Sequence, residues 1–597
     1  MKSSKSGSIY VLLIKQKWSF NGMSQNLQSR PYTPWQLIRA YWQSDQKFFA
    51  YSFFIIVIVF SVAIVGMDVV FNFWYNHFYD ALQDYDRKSA YDLIVVFVFF
   101  AAVYIVLAVY RYYIQAYLSL RWRRWLTDQF LNRWLEKRSY YYLENFDEQT
   151  DNPDQRIQED ISSLVTSSLE LALGFIASTT TFVAFIYILW KLSGPLTLHL
   201  GPLGTHVLPG YLVWVSIIYS IVGTWLAFKV GYPLVSLNFE QQRREANFRF
   251  AAIDLRSHAE HVALYRGEVY QKGILGGLFE RVLNNWYAII LRQKLLLWFT
   301  AGYNQVSVIL PLMVVLPNYF NKVFKLGGLM QALRAFTQIQ DALSFFINSY
   351  SSIAQWRAVV RRLISFLDHM YEVETRATVS NQLIYHEEAA NSIVVKDLNI
   401  ATPKGEVLLE NINLEFKHGN NYLIKGPSGI GKSTFIRVIA GIWPFGSGDI
   451  DLPENKAIMY LPQRSYMPIG TLREAMLFPL KSSPITDAEL INLLNACDLP
   501  QLTTRLSDVT MWTEQLSPGE LQRISFARVL LHKPDWVFLD ESTSAVDLAL
   551  EKHLFELLKK TLPNCSLVSV GHQPSVEAYH DHQIDFSRYH KERVFIN

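Results

Sequence analysis

The stretch GPSGIGKST, Gly426–Thr434, follows the apolar run NYLIK and precedes the helix-patterned FIRVIAGI. This G-x-x-x-x-G-K-S spacing suits phosphate. Backbone N–H groups of Gly429, Ile430 and Gly431 curl around an anion at a helix N-terminus, Lys432 brings charge to the outer phosphates, and the Ser433 hydroxyl serves Mg²⁺. A Gly-rich turn with a surface lysine is the bland alternative, and the strand–loop–helix setting argues against it. About a hundred residues on, DWVFLDES ends an apolar strand in two acids. Asp540 is placed to serve the metal and Glu541 to act as general base toward an attacking water. His572, in SVGHQ after another apolar run, is a candidate contact to the terminal phosphate.

A third piece is WTEQLSPGELQR, Trp512–Arg523. Ser517 precedes Glu520 by three positions, the S-x-x-E capping box, and Pro518 falls at the first helical residue, where a missing N–H matters little and a fixed φ helps. Ser517 and the N–H groups of Gly519 and Glu520 are then left for an anion at the positive end of a helix.

These loops need a scaffold, and the texture after residue 391 supplies one: short β-type runs alternate with helical periods, an α/β architecture spanning 392–597. A polar stretch, 371–391, reads as a linker. Upstream the chain is of another kind. Half of its 597 residues are hydrophobic and 15% are aromatic, and the length exceeds one ordinary core. Apolar runs at Phe48–Met67, Leu93–Tyr110, Leu171–Trp190, Val207–Phe228 and Leu295–Phe320 are near the length a helix needs to cross a bilayer. A sixth, Ala335–Trp356, carries Gln338, Gln340, Asp341 and Asn348 among its apolar residues, and an even count keeps both chain ends on one side. A six-helix membrane domain over 48–370 is therefore expected. Asp341, Ser344, Asn348 and Ser351 fall on one helical stripe, fit either for packing or for lining a hydrated path.

The loops after the second and fourth spans are long and basic, which places them, both termini and the α/β domain in the cytoplasm. Residues 1–47 lack a signal-peptide core and read as a disordered tip followed by an interfacial amphipathic helix at PWQLIRAYWQ. A formal net charge of +3 is too near balance to imply a nucleic-acid partner. The two cysteines, Cys497 and Cys565, lack nearby histidines and read as buried free thiols.

Taken in order, GPSGIGKST, LPQRSYMP, LSPGELQR, VFLDEST, SAVD and SVGH resemble the nucleotide-binding domain of an ABC transporter, and six spans before one such cassette resemble an exporter-type half-transporter. GIWPFGSG, YLPQRSYMPIGTLRE, NPDQRIQEDI and EHVALYRGE look like the branch shared by peroxisomal and lysosomal half-transporters (subfamily D) and bacterial SbmA/BacA-like proteins fused to a cassette. The resemblance implies that Gly426, Pro427, Ser428, Gly429, Ile430, Gly431, Lys432, Ser433 and Thr434 hold ATP, with Ser517, Gly519, Glu520 and Asp547. It implies Mg²⁺ at Ser433, Gln463 and Asp540, and hydrolysis through Glu541, His572 and Gln463. It also implies a second identical subunit, a multi-pass place in the inner membrane, and a solute moved by ATP. The bacterial branch suggests a hydrophilic cargo (peptide, peptide antibiotic or cobalamin-like) moving inward; lipid or acyl-CoA is the alternative. A membrane-anchored ATPase gating a channel or partner is a further one. One departure stands out. Thr402 occupies the position where the family carries an adenine-stacking ring, no aromatic occurs from Ile393 to Leu414, and Tyr422 or another ring is expected to substitute.

Overall fold

The computed structural model describes residues 33–146, 152–193, 195–199, 205–320, 322–480, 484–571 and 574–590. The tip expected to be disordered lies outside them. The chain forms two compact units, residues 30–133 with 150–368, and residues 134–149 with 369–597.

The membrane unit opens on α1, Pro34–Trp42, whose N-terminus Thr33 and Gln36 close with a reciprocal capping box ahead of Pro34. Four long helices follow: α2 (Lys47–Gln83), α3 (Arg87–Leu135), α5 (Ile161–Ser193) and α6 (Tyr211–Ser257), with an antiparallel strand pair, β1 (Pro195–His199) and β2 (Thr205–Pro209), between the last two, and then a fifth, α7 (Glu268–Phe320). Each of the five contains a stretch long and apolar enough to cross a membrane. Their apolar side chains are largely exposed, as with Val98, Phe99, Ile105 and Val106 on α3, which suits a solvent of lipid tails rather than water. The stretch expected as a sixth span, Ala335–Trp356, lies in α8, Leu326–Asn348, and α9, Tyr350–Ser380, separated only at Ser349; neither is among the five helices long and apolar enough to cross that the described residues hold. Polar residues lower the apolar character of α8, yet it packs against α2, α5, α6 and α7. Ala332, Ala335, Phe336 and Ile339 give it a buried face. Asn72 on α2 donates to the Gln331 carbonyl at 3.1 Å, and Asn76 to the Gln331 side chain at 2.8 Å. Each bond removes an exposed polar group from an apolar setting.

The conspicuous NPDQRIQEDI stretch forms a π-helical turn, Arg156–Asp160. It delivers Asp160, which is buried, to Arg362 on α9: Nε donates at 2.9 Å and Nη2 donates to the other oxygen. A two-pronged carboxylate–guanidinium pair of this kind fixes direction as well as distance.

In the cassette unit the stretch expected as a linker, 371–391, is mostly regular structure. Residues 371–380 continue α9, and 381–388 form a strand, β3, parallel to β7 (Gly446–Pro453) along its full length. The polar composition of 371–388 goes with the exposed faces of regular elements, and residues 389–391 are a short bend. The sheet is completed by β4 (Ser392–Ala401) and β5 (Val407–Lys417), in the order β3-β7-β4-β5. A second, wholly parallel sheet runs β11-β6-β10-β9-β8, with β6 at Tyr422–Lys425, β8 at Ile458–Leu461, β9 at Trp536–Asp540, β10 at Ser566–Val570 and β11 at His582–Asp585. The central strands Trp536–Leu539 and Ser566–Val570 are buried throughout because both faces are covered. Ile393, Val395 and Leu409 share a core with Phe538 and Val568, while Val537 and Leu567 face a second core with Trp512 and Phe526. Cys497 and Cys565 are buried and free, as expected, and burial pushes both thiols up to about 12.

Candidate nucleotide site

Register in the parallel sheet places the site. Asp540 lies beside Val570, Val570 beside Ile424, and Leu539 beside Leu461. The chain therefore leaves four neighbouring strands at one carboxyl edge, giving in turn the Gly426–Gly431 loop, Glu541, Gln463 and the loop that begins at Gly571. Crevices at that edge are where open α/β sheets bind ligands.

The loop itself has the backbone that a phosphate cradle needs. Gly426, Gly429 and Gly431 have φ of +144°, +80° and +109°, values that a side chain would strain. Gly431 leads directly into α10, Lys432–Ile439, whose N-terminus has no side-chain cap. A helix start left open in this way is a ready anion site. Lys432 is buried and folds back over the loop, its Nζ donating to the carbonyls of Gly426 at 2.6 Å and Pro427 at 2.9 Å. Burial pulls its pKa down, and Glu541 and Asp540 nearby push the other way.

Ser433 Oγ donates to Asp540 Oδ1 at 2.8 Å, so the two oxygens assigned to a metal stand side by side. Burial raises the Asp540 pKa, the Ser433 hydroxyl opposes it, and the adjoining Glu541 charge adds to it. A site that penalises its own negative charge is one that a divalent cation would relieve, so these residues fit Mg²⁺. Glu541 sits at φ +47°, a left-handed conformation uncommon for a residue with a side chain, and accepts from Gln463 Nε2 at 2.9 Å. The candidate base and the glutamine are thus one hydrogen-bonded pair. His572 lies outside the described residues.

The LSPGELQR stretch forms the start of α11, Pro518–His532, with the expected reciprocal capping box. Glu520 N–H donates to Ser517 Oγ at 3.3 Å, and Ser517 N–H to the Glu520 carboxylate at 2.9 Å. Gly519 is required by a close approach, since a Cβ there would stand 2.8 Å from the Ala545 carbonyl. Asp547 caps α12, Leu548–Thr561, accepting from Leu550 N–H at 2.9 Å. It therefore has a structural task of its own, whatever it adds toward a nucleotide. Thr402 closes the β4–β5 turn, its Oγ1 accepting from Glu406 N–H at 3.1 Å. The Tyr422 substitute is not supplied: its ring is buried against Phe416 and its hydroxyl accepts from Lys417 N–H at 2.8 Å. It stands at the start of β6, the end of that strand away from the loop, because the apolar core claims a ring there.

Three further features were not read from the sequence. Gln522 on α11 accepts from Ala545 N–H at 3.0 Å and donates to Ser544 Oγ at 3.3 Å, joining this helix to the segment after Glu541. Arg528 is buried and donates to the carbonyls of Ala475 at 2.8 Å and Tyr466 at 2.7 Å, and burial lowers its pKa to about 10. A buried arginine in a helical run gives little sequence signal. The third is the short helix α4, Ser139–Phe146, part of the cassette's compact unit although it lies in the loop after the second span. Phe146 sets its ring edge to face against Trp443 at 5.3 Å and Phe445 at 4.9 Å, and Arg138 donates to the Gly441 carbonyl at 2.5 Å. The aromatic GIWPFGSG stretch could have signalled a docking surface, but not its occupant.

The family model described as "ABC transporter transmembrane region 2" matches residues 38–320, and the one described as "ABC transporter" matches 409–544. Over 553 residues the chain is 33% identical to an inner membrane ABC transporter ATP-binding protein of Escherichia coli strain K12, YddA, covering 92% of this chain and 96% of that one. This chain belongs to the ABC transporter family. It is an ABC half-transporter, a membrane region fused to one ATP-binding cassette, and such transporters couple ATP hydrolysis to transport. An uncharacterized ABC transporter ATP-binding protein of Haemophilus influenzae is 34% identical over 92% of this chain and 91% of its own length. ABC transporter D family member 2, chloroplastic, of Arabidopsis thaliana is 30% identical over 92% and 85%, in line with the subfamily D resemblance. Among solved structures, a bacterial Atm1-family ABC exporter with ATP bound superposes with a TM-score of 0.69 at 17% identity, covering 89% of this chain and 92% of that one. The ABC exporter fold is thereby shared.

Proposed function

We propose that two copies of this ABC transporter form a two-fold homodimer in the inner membrane, with the cassettes in the cytoplasm and ATP bound between them, and that the dimer moves a hydrophilic solute inward. Each ATP would rest on the Gly426–Thr434 loop of one copy and meet the Ser517–Gly519 helix start of the other. The side-chain bonds of α11 that support this run to Tyr466, Ala475, Ser544 and Ala545, while Ser517 itself is exposed. Glu541, oriented by Gln463, would take the proton of the attacking water, and Lys432 would hold the outer phosphates. Mg²⁺, for which Ser433, Gln463 and Asp540 are the candidate holders, would neutralise phosphate charge.

The observation that carries the cargo reading is on α8. Thr337 and Asp341 are exposed one turn apart, while Gln340 beside them is buried and receives the Ser307 hydroxyl. A carboxylate held open at membrane depth calls for water or a cationic partner, which fits a hydrated path better than a lipid-lined one. In liposomes carrying the full-length protein, basic peptides should stimulate ATP hydrolysis and acyl-CoA should not. Stimulation by acyl-CoA alone would overturn the hydrophilic assignment. Ser517→Arg should abolish ATP-dependent closure of the dimer, and unchanged closure would overturn the shared-site reading.

A further inference from the structure

Nothing on β4 or on the turn at Thr402 offers a ring to a nucleotide base, yet a base stacked on nothing forfeits much of its binding. The C-terminal segment lies where one could be supplied. The short helical turn Phe586–Tyr589 packs under the phosphate loop: a Cβ on Gly426 would stand 3.5 Å from Phe586 and 3.7 Å from Ser587 N. Phe586 is buried edge to face against Phe435 at 5.1 Å, and Tyr589 packs on Phe586 at 5.8 Å, so both rings are committed to the core. The next residue is not. His590 forms an antiparallel bridge to Leu409 on β5, and its Nδ1–H donates to the Leu408 carbonyl at 3.2 Å, because a carbonyl can only accept. That bond holds the ring in place while the residue stays exposed.

Leu408 and Leu409 are also the wall of the phosphate loop. A Cβ on Gly431 would meet Leu409 at 3.2 Å and Leu408 at 3.7 Å. Ser433, Asp540, Gln463 and Glu541 mark where the terminal phosphate lies, so the nucleoside of a triphosphate seated on the loop leaves past Gly431 toward this wall.

We infer that His590 is the base-stacking residue of this ATP site, taking from the C-terminal segment the role that Thr402 cannot fill. The inference rests on the ATP reading of the Gly426–Thr434 loop. Its ring face would cover the base, with the Nδ1–H bond to Leu408 fixing the ring's place.

The test compares ATP with inorganic tripolyphosphate on the full-length protein in detergent. His590→Ala should weaken ATP binding about tenfold, within the range that ring–base stacking supplies, and leave tripolyphosphate unchanged. His590→Phe should restore ATP affinity, and in His590→Trp the new indole emission should change with ATP but not with tripolyphosphate. Unchanged ATP affinity in His590→Ala overturns the inference. So does equal weakening of both ligands, which would reduce His590 to a prop for the loop. Failure of the underlying reading looks different: Lys432→Ala would then bind tripolyphosphate as well as wild type.

Discussion

The cassette and the membrane helices of this ABC transporter carry function in opposite ways. In the cassette, chemistry is concentrated in short loops that leave one sheet edge, so Lys432, Ser433, Asp540 and Glu541 converge as soon as the strands pair. In the membrane unit, composition decides where the helices reside and says little about which side chain acts. Gln340 and Asp341 are adjacent polar residues, yet one is bonded to Ser307 inside the bundle and the other is open. Local motif governs the first region and helix rotation the second.

The sharpest way to break this contrast is at Glu541. Glu541→Gln keeps the shape and the Gln463 neighbour but removes the candidate base, so steady-state hydrolysis should fall about 10²- to 10⁴-fold with ATP binding retained. Turnover at the wild-type rate would show that motif position had misassigned the base. Next in size is Arg528→Ala, a residue outside every motif. It strands the Ala475 and Tyr466 carbonyls, and the thermal unfolding of the transporter should reveal a loss of about 1–3 kcal/mol for each buried group left unpaired. A neutral result would mean that water replaces the guanidinium. Smaller effects belong to the membrane side. Asp341→Asn should lower peptide-stimulated ATPase for cationic cargo about fivefold, the size of one charge interaction across water, ~1 kcal/mol, whereas Gln340→Asn should disturb packing without changing charge preference. If the two variants shifted preference equally, the distinction between adjacent residues on α8 would collapse. The least change is expected from Pro518→Gly, about 0.4–1 kcal/mol through added freedom of the unfolded chain, with hydrolysis largely intact because the Ser517–Glu520 box remains.

The same contrast explains what was legible beforehand. The capping box at Ser517 and the buried thiols are decided within a few residues or by composition, and both were readable. The 371–391 segment reads as a linker because a helix end and an edge strand can share the polar composition of one. Arg528 and Phe146 were invisible because their partners stand tens to hundreds of residues away.

By itself the sequence determined the Gly-rich loop that is the candidate phosphate cradle, the two acids that end an apolar strand and the membrane-spanning first half. Each of these follows from residue type at fixed local spacing, where backbone geometry leaves few alternatives. Only the tertiary structure decided that Tyr422 is core, that Gln463 meets Glu541, that Asp341 is open while Gln340 is not, and that His590 arrives beside the loop from the far end of the chain. These depend on strand order and helix rotation, which arise from burying many weak contacts at once and are written in no single stretch of residues.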